Sequence, residues 1–271
     1  MERSTTAQHP PASSAWRARS RRVQIAMPPG DRVEQDVEWC VARFDGRWQE
    51  VRFHDYGRIY DVPGLYERIF YDVLQCASPQ TIGGLMAEQL SESDTDPGDL
   101  RVLDLGAGNG VMGGELAAMG ADHLVGVDIL DEAANAAERD RPGTYADYVV
   151  ANLCDLPDEE RARLEDHDLN ALTCVAALGF GDIPPEAFRV AYNLVAEDGW
   201  VAFNIKPDFL DGGDRSGFSR LISRVVESEL LDVLVQTRYR HRDASNGDPI
   251  EYVAIVGRKT GDISPEMLDE D

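Results

Sequence analysis

The stretch RVLDLGAGNGVMGGELAAMG, Arg101–Gly120, sets six glycines directly behind a run of strand-forming apolar residues. Glycine allows positive φ and brings backbone N–H groups close to a ligand with no Cβ between them. A short buried strand, a glycine loop and then a helix belong at the carboxyl edge of a parallel sheet, where open α/β folds bind their ligands.

The flanking sequence repeats the alternation. HLVGVDI, DYVVANL, ALTCVAAL and WVAFNI read as further strands, and DEAANAAERDRPG, DEERARLEDHD and PPEAFRVAYNLVAEDG as the helices between them. Gly143 stops the first of these helices, and the last has proline at its start and glycine at its end. After the amphipathic helix FSRLISRVVESELL, the runs DVLVQTRYRH and IEYVAIVGRK are separated only by RDASNGDP, so Asn246-Gly247 predicts an antiparallel pair. The expected fold is α/β: a doubly wound, seven-stranded, mostly parallel sheet whose last strand is antiparallel.

An N-terminal extension precedes it. VEWCVARFDGRWQEVRFHDY alternates on both sides of Asp45-Gly46, a hairpin signal, and GLYERIFYDVLQC places Leu65, Ile69 and Val73 at helical spacing. PQTIGGLMAEQLSES reads as a weaker helix and the acidic SESDTDPGD as a linker. The expected divisions are a basic, unstructured arm (1–30), a hairpin and helical cap (31–98), a ligand-binding domain (99–260) and an acidic tail (261–271).

The net charge is -24, with Lys206 and Lys259 the only lysines. So acidic a surface disfavours nucleic acid and anionic membranes as partners. The first thirty residues differ, with five arginines against Glu2 alone, compatible with a disordered arm, a transit-like peptide or sequence upstream of a start at Met27. Ser20-Arg21-Arg22 is not followed by an apolar export segment, and no apolar run is long enough to span a membrane, so a cytoplasmic location is expected. Cys40, Cys76, Cys154 and Cys174 lack metal-ligand spacing; buried, reduced thiols and no metal are expected.

Two frames compete in the glycine loop. GNGVMG fits the dinucleotide pattern G-x-G-x-x-G, but its first glycine lies four residues beyond Asp104. Read from Asp104, DLGAGNG is Asp-x-Gly-x-Gly-x-Gly, and an acid there suits a positively charged amino acid moiety better than a pyrophosphate. In this frame the chain resembles the class I S-adenosylmethionine-dependent methyltransferases, from about Leu100 to Lys259 by order of elements. The resemblance implies S-adenosyl-L-methionine as cofactor, with Asp104 near the methionyl amine and Gly106, Ala107, Gly108, Asn109 and Gly110 lining the cofactor. It also implies Asp128 with Ile129 at the ribose, and Asp155 with Leu156 at the adenine. Asp128 has a structural alternative as the N-cap of the next helix.

The Asn/Asp-Pro-Pro-Tyr motif that family members acting on nucleic-acid bases or glutamine amides often carry after strand four is not met by GFGDIPPEAF, which further disfavours a nucleic-acid target and points to a small-molecule acceptor. The tyrosine-rich segment after the hairpin supplies His54, Tyr56 and Tyr60 as candidate catalytic residues: tyrosines pack on a sulfonium, and histidine exchanges a proton near neutral pH. Asn204 and Lys206, after the fifth strand, are candidate substrate contacts. The rival expectations are a nicotinamide-dependent oxidoreductase and a binding or regulatory domain without transfer activity.

Overall fold

The computed structural model describes residues 23–28, 34–178, 182–207 and 217–268. The expectations for residues 1–22, for much of the loop after Lys206 and for the last residues of the tail lie outside these.

The extension opens with a three-stranded antiparallel sheet, β1 (Gln24–Ala26), β2 (Trp39–Phe44) and β3 (Arg47–Arg52). β1 falls inside the stretch expected to be an unstructured arm. The reason is visible in VQIAM: Val23, Ile25 and Met27 alternate, and pack on the cluster of Cys40, Ala42, Val51 and Phe53. Asp45 and Gly46 both take positive φ, 53° and 76°, as their hairpin turn requires.

Helix α1 (Tyr56–Asp61) is not signalled by the sequence pattern, and α2 (Leu65–Glu67) runs directly into a π-helical turn over Arg68–Val73. In that wide turn Leu74 N bonds Ile69 O, so Leu65, Ile69, Phe70 and Leu74 all reach the interior. Helix α3 (Ser78–Glu92) leaves the extension altogether. Its Ile82, Met86 and Leu90 lie on the main sheet against Val102, Leu124, Trp200, Ala202 and Ala254.

The main sheet has seven strands: β4 (Arg101–Leu105), β5 (His123–Asp128), β6 (Asp147–Val150), β7 (Ala171–Cys174), β8 (Trp200–Ile205), β9 (Leu231–Asp243) and β10 (Pro249–Lys259). Their order is β6-β5-β4-β7-β8-β10-β9, with β10 antiparallel to both neighbours. The helices are α4 (Val111–Met119), α5 (Asp131–Asp140), α6 (Asp158–Glu165), α7 (Pro185–Asn193) and α8 (Phe218–Glu227). Every residue of β7 and β8 is buried, as strands covered on both faces should be. On one face Leu103, Val125, Leu172 and Phe203 meet Leu164, Phe188, Leu221 and Val225 from α6, α7 and α8. On the other, α3 and α4 cover the alternate positions. β9 closes the edge and carries exposed Arg238 and Arg240, charges that discourage strand addition.

Candidate active site

A cavity of about 490 Å³ opens at the carboxyl ends of β4, β5, β6 and β7. Its sheet side is made by Gly106–Asn109, Asp128–Leu130, Asn152–Leu153 and Val175–Ala177; the extension closes over it with His54–Gly57, Tyr60, Tyr66 and Tyr71.

The glycine loop is held from several sides. Gly106 and Ala107 both donate to Val127 O, at 2.9 and 3.1 Å. Gly108 N donates to Asp128 Oδ2 at 3.0 Å, and Tyr148 Oη donates to Gly108 O at 2.7 Å. Gly108 has φ 54°, and a Cβ there would collide with the Tyr60 hydroxyl, so both conformation and close approach demand glycine.

Asp128 ends β5 and also accepts from Leu130 N at 3.1 Å through Oδ1. It is not the N-cap of α5, a position held by Leu130. Burial pushes its carboxyl above the usual range, opposed by hydrogen bonds from Gly108, Leu130 and Ile129. Ile129 beside it is 61% exposed, an apolar face presented at the cavity rim.

Asp104 does not line the cavity. It is buried in β4 and accepts from Tyr145 Oη and Thr173 Oγ1, both at 2.7 Å, beneath the glycine loop. Burial pushes its pKa up to about 6, against the lowering effect of those two bonds. The folded chain therefore holds this proton more tightly than the unfolded chain, whose value is near 3.8. The resulting stability is fully present below about pH 4 and is lost as pH rises through 6, a change of about 1.4 kcal/mol per pH unit across that window. Asp104→Asn is expected to flatten this part of the pH dependence. Urea unfolding near pH 4 and near pH 7 checks it, and an unchanged difference between the two would contradict the assignment.

Asn109 is buried and donates to Glu67 Oε1 at 2.8 Å, while Arg141 Nη1 donates to the same oxygen at 3.1 Å and to Asn109 O at 2.9 Å. Extension, glycine loop and the end of α5 thus meet in one buried charge cluster. Glu67 Oε2 accepts no hydrogen bond among the described residues. Gly110, with φ 83°, caps α4 and lies against the Tyr145 ring rather than on the cavity.

After β6 it is Asn152 and Leu153, not Asp155 and Leu156, that reach the cavity. The strand ends at Val150, short of the DYVVANL reading; Asp155 is exposed and Leu156 packs toward the core. Asn204 is likewise drawn inward: its Oδ1 accepts from Ala176 N at 2.7 Å and its Nδ2 donates to Tyr239 Oη at 2.7 Å and Ser78 Oγ at 3.1 Å. Lys206 is half-buried beyond β8 and, like Asn204, does not line the cavity.

His54, Tyr56 and Tyr60 do line it. The rings of Tyr56 and Tyr60 stack at 6.1 Å, and Tyr60 meets Tyr66 at 5.2 Å. Burial drives the Tyr56 and Tyr60 hydroxyls far above their ordinary range, so both act as neutral groups rather than bases. His54 Nδ1 lies 3.1 Å from Asp182 Oδ2, a partner 128 residues away that no local pattern reveals. Since a carboxylate only accepts, Nδ1 is the donor.

Among the described residues no group of side chains suits a metal ion, and no helix is long and apolar enough to cross a membrane. Cys40, Cys76 and Cys174 are buried free thiols; Cys154, contrary to expectation, is exposed because it lies in the turn after β6.

Residues 102–199 match a family described as a methyltransferase domain. Two curated relatives carry the name ubiquinone biosynthesis O-methyltransferase. That from Paraburkholderia phymatum is 30% identical over 104 residues, and that from Neisseria meningitidis serogroup C is 28% identical over 109 residues. Each alignment covers 38% of this chain and 43% of the relative, so the chain matches less than half the length of either. Among solved structures it is similar to the N-methyltransferase NodS from Bradyrhizobium japonicum in complex with S-adenosyl-L-homocysteine, at 13% identity and TM-score 0.49, over 77% of this chain and 98% of that one.

Proposed function

We propose that the chain, whose residues 102–199 match a methyltransferase domain, is a class I S-adenosylmethionine-dependent methyltransferase that transfers a methyl group from S-adenosyl-L-methionine to a small-molecule acceptor inside the cavity. The observation that carries this reading is the pairing of Asp128 with the glycine loop on one wall and a neutral tyrosine wall on the other.

The residues fit the cofactor. Backbone at Gly106–Asn109 can approach it because Gly108 leaves no Cβ in the way. The Asp128 carboxylate at the end of β5 would accept the two ribose hydroxyls, and Ile129, exposed beside it, would offer the adenine an apolar face, with Asn152 and Leu153 also lining the cavity. Asp104 and Gly110 support the loop from beneath and behind, and Asp155, Leu156, Asn204 and Lys206 stand outside the proposed contact set.

The cofactor supplies an already activated methyl group. What falls to the protein is alignment of the acceptor and exclusion of water. Tyr56 and Tyr60 present ring faces suited to a sulfonium. A cavity of about 490 Å³ and a net charge of -24 favour a small acceptor over a polynucleotide.

Titration calorimetry with S-adenosylhomocysteine, NAD and NADP tests the reading. Saturable binding of the first alone is expected. Binding of a dinucleotide instead would restore the GNGVMG frame, and binding of none would favour a regulatory domain.

A further inference from the structure

Among the described residues with positive φ, Ala176, at φ 57°, is the only one other than glycine that lines the cavity. It lies in the turn after β7, and it also lines a smaller chamber of about 40 Å³ beside the main one. A Cβ disfavours this left-handed conformation by about 5- to 30-fold, a cost that glycine does not carry. A turn built on alanine therefore keeps its shape only while something holds it.

The next residue makes that shape matter to the glycine loop. Ala177 backs the loop so closely that a Cβ on Gly106 would stand 2.9 Å from the Ala177 Cβ. Were Ala176 to relax to negative φ, Ala177 would move relative to Gly106, and the loop would lose its backing.

The hold comes from Asn204, fully buried in β8, whose Oδ1 accepts from Ala176 N at 2.7 Å. A backbone N–H only donates, so the amide oxygen must face Ala176. Both hydrogens of Nδ2 are then committed, to Tyr239 Oη at 2.7 Å and to Ser78 Oγ at 3.1 Å. Ser78 Oγ in turn lies 2.6 Å from Tyr239 Oη and 2.6 Å from His241 Nδ1. Burial pushes the Tyr239 phenol above its ordinary range and, with Arg242 and Lys206, pushes His241 down to about 3, so both are neutral near pH 7. One arrangement gives every hydrogen of this network an acceptor among the described residues: Tyr239 donates to Ser78, and Ser78 to His241 Nδ1. The amide is thereby locked from α3 and β9 and cannot turn away from Ala176.

We propose that Asn204 is a positioning residue of the active site: by holding Ala176 in the left-handed conformation it fixes Ala177 against Gly106 and keeps the glycine loop in the shape that receives the cofactor. The proposal rests on the methyl-transfer reading above. Asn204 does not line the cavity and acts through the turn alone. Without its bond, only the fraction of molecules with Ala176 left-handed is competent, and apparent affinity falls by that fraction.

Calorimetric titration of the full chain with S-adenosylhomocysteine tests this in two backgrounds. Asn204→Ala in the native chain is expected to weaken binding by about 5- to 30-fold, the bias against left-handed alanine. In a chain that already carries Ala176→Gly, the same Asn204→Ala change should weaken it by less than about threefold, because glycine adopts the turn unaided. A residue that merely fills the core would cost the same in both backgrounds. Circular dichroism checks that each variant is folded. A second measurement needs no variant: hydrogen exchange of the Ala176 amide in the native chain should be at least about tenfold slower than that of a solvated amide.

Equal losses in both backgrounds, no loss in either, or free exchange of the Ala176 amide would overturn the role of Asn204. Failure of the native chain to bind S-adenosylhomocysteine while that amide stays protected would instead remove the methyl-transfer reading, and with it the reaction that Asn204 is proposed to serve.

Discussion

Asp128→Ala is expected to weaken S-adenosylhomocysteine binding by about two to three orders of magnitude while the chain remains folded. The carboxylate has two tasks. In the structure it accepts from Gly108 N and Leu130 N, which sets the shape of the glycine loop and of the turn into α5. In the proposed complex its oxygens also meet the ribose hydroxyls. Hydrogen bonds to a charged group contribute about 1.5–3 kcal/mol each, and 1.4 kcal/mol is a factor of ten in affinity. Losing the ribose bonds and loosening the loop together accounts for the expected range. The side chain is half-buried at the cavity rather than part of a packed core, so its removal leaves no large void. Calorimetric titration checks the affinity and circular dichroism the fold. A loss smaller than about tenfold would place the cofactor elsewhere in the cavity.

Arg141→Ala is expected to cost about 3–5 kcal/mol of folding stability, the range for stripping one partner from a buried ion pair. Arg141 and Glu67 are 7% and 1% exposed, and among the described residues the carboxylate would keep only Asn109. A loss of that size is a large share of the 5–15 kcal/mol typical of a domain. The double change Arg141→Leu with Glu67→Leu should be less damaging than Arg141→Ala, because it leaves no buried charge unpaired. Urea unfolding of the wild type and the two variants reads both effects. A cost below about 1 kcal/mol for Arg141→Ala would show that water replaces the guanidinium and that the cluster is more open than it stands in the structure.

The contrast between these residues shows what a sequence discloses. Asp45-Gly46, the glycines after β4, Pro184-Pro185 before α7 and the pairing of β9 with β10 are legible because each feature depends on a few neighbouring residues with restricted backbone choices. The alternation of strands and helices is legible for the same reason. Helix α1 is not: Gly57 interrupts its pattern, and it forms because Ile59 and Tyr60 are buried by parts of the chain far away. The π-helical turn is equally silent, since four-residue spacing through Leu65, Ile69 and Val73 describes an ordinary helix, whereas burial of Phe70 selects the wider turn.

In the candidate site the same division holds. Gly106, Ala107, Gly108, Asn109, Asp128 and Ile129 follow strand ends, and they line the cavity. Asp104 satisfies the motif but is taken up by Tyr145, 41 residues on, and Thr173, 69 residues on. Asp182, Glu67 and Arg141 act through partners at least 30 residues away, and nothing in their neighbourhoods marks them. The error at Asp155 is of another kind: reading β6 as two or three residues too long moved the expected contact from Asn152 to Asp155.

The place of β10 has a consequence for the order in which the molecule can be assembled. It follows the other six strands of this sheet in the chain, yet it lies between β8 and β9 and bonds to both. During synthesis β4 to β8 can pair as they emerge, but β8 must then wait with one side bare until Pro249–Lys259 is delivered, and β9 has no partner until the same moment. Over that interval two hydrogen-bonding edges stand open, a state prone to association with other chains. The Asn246-Gly247 turn shortens the wait by letting β9 and β10 arrive as a preformed hairpin. The final step of sheet formation is then a single docking of that hairpin onto β8.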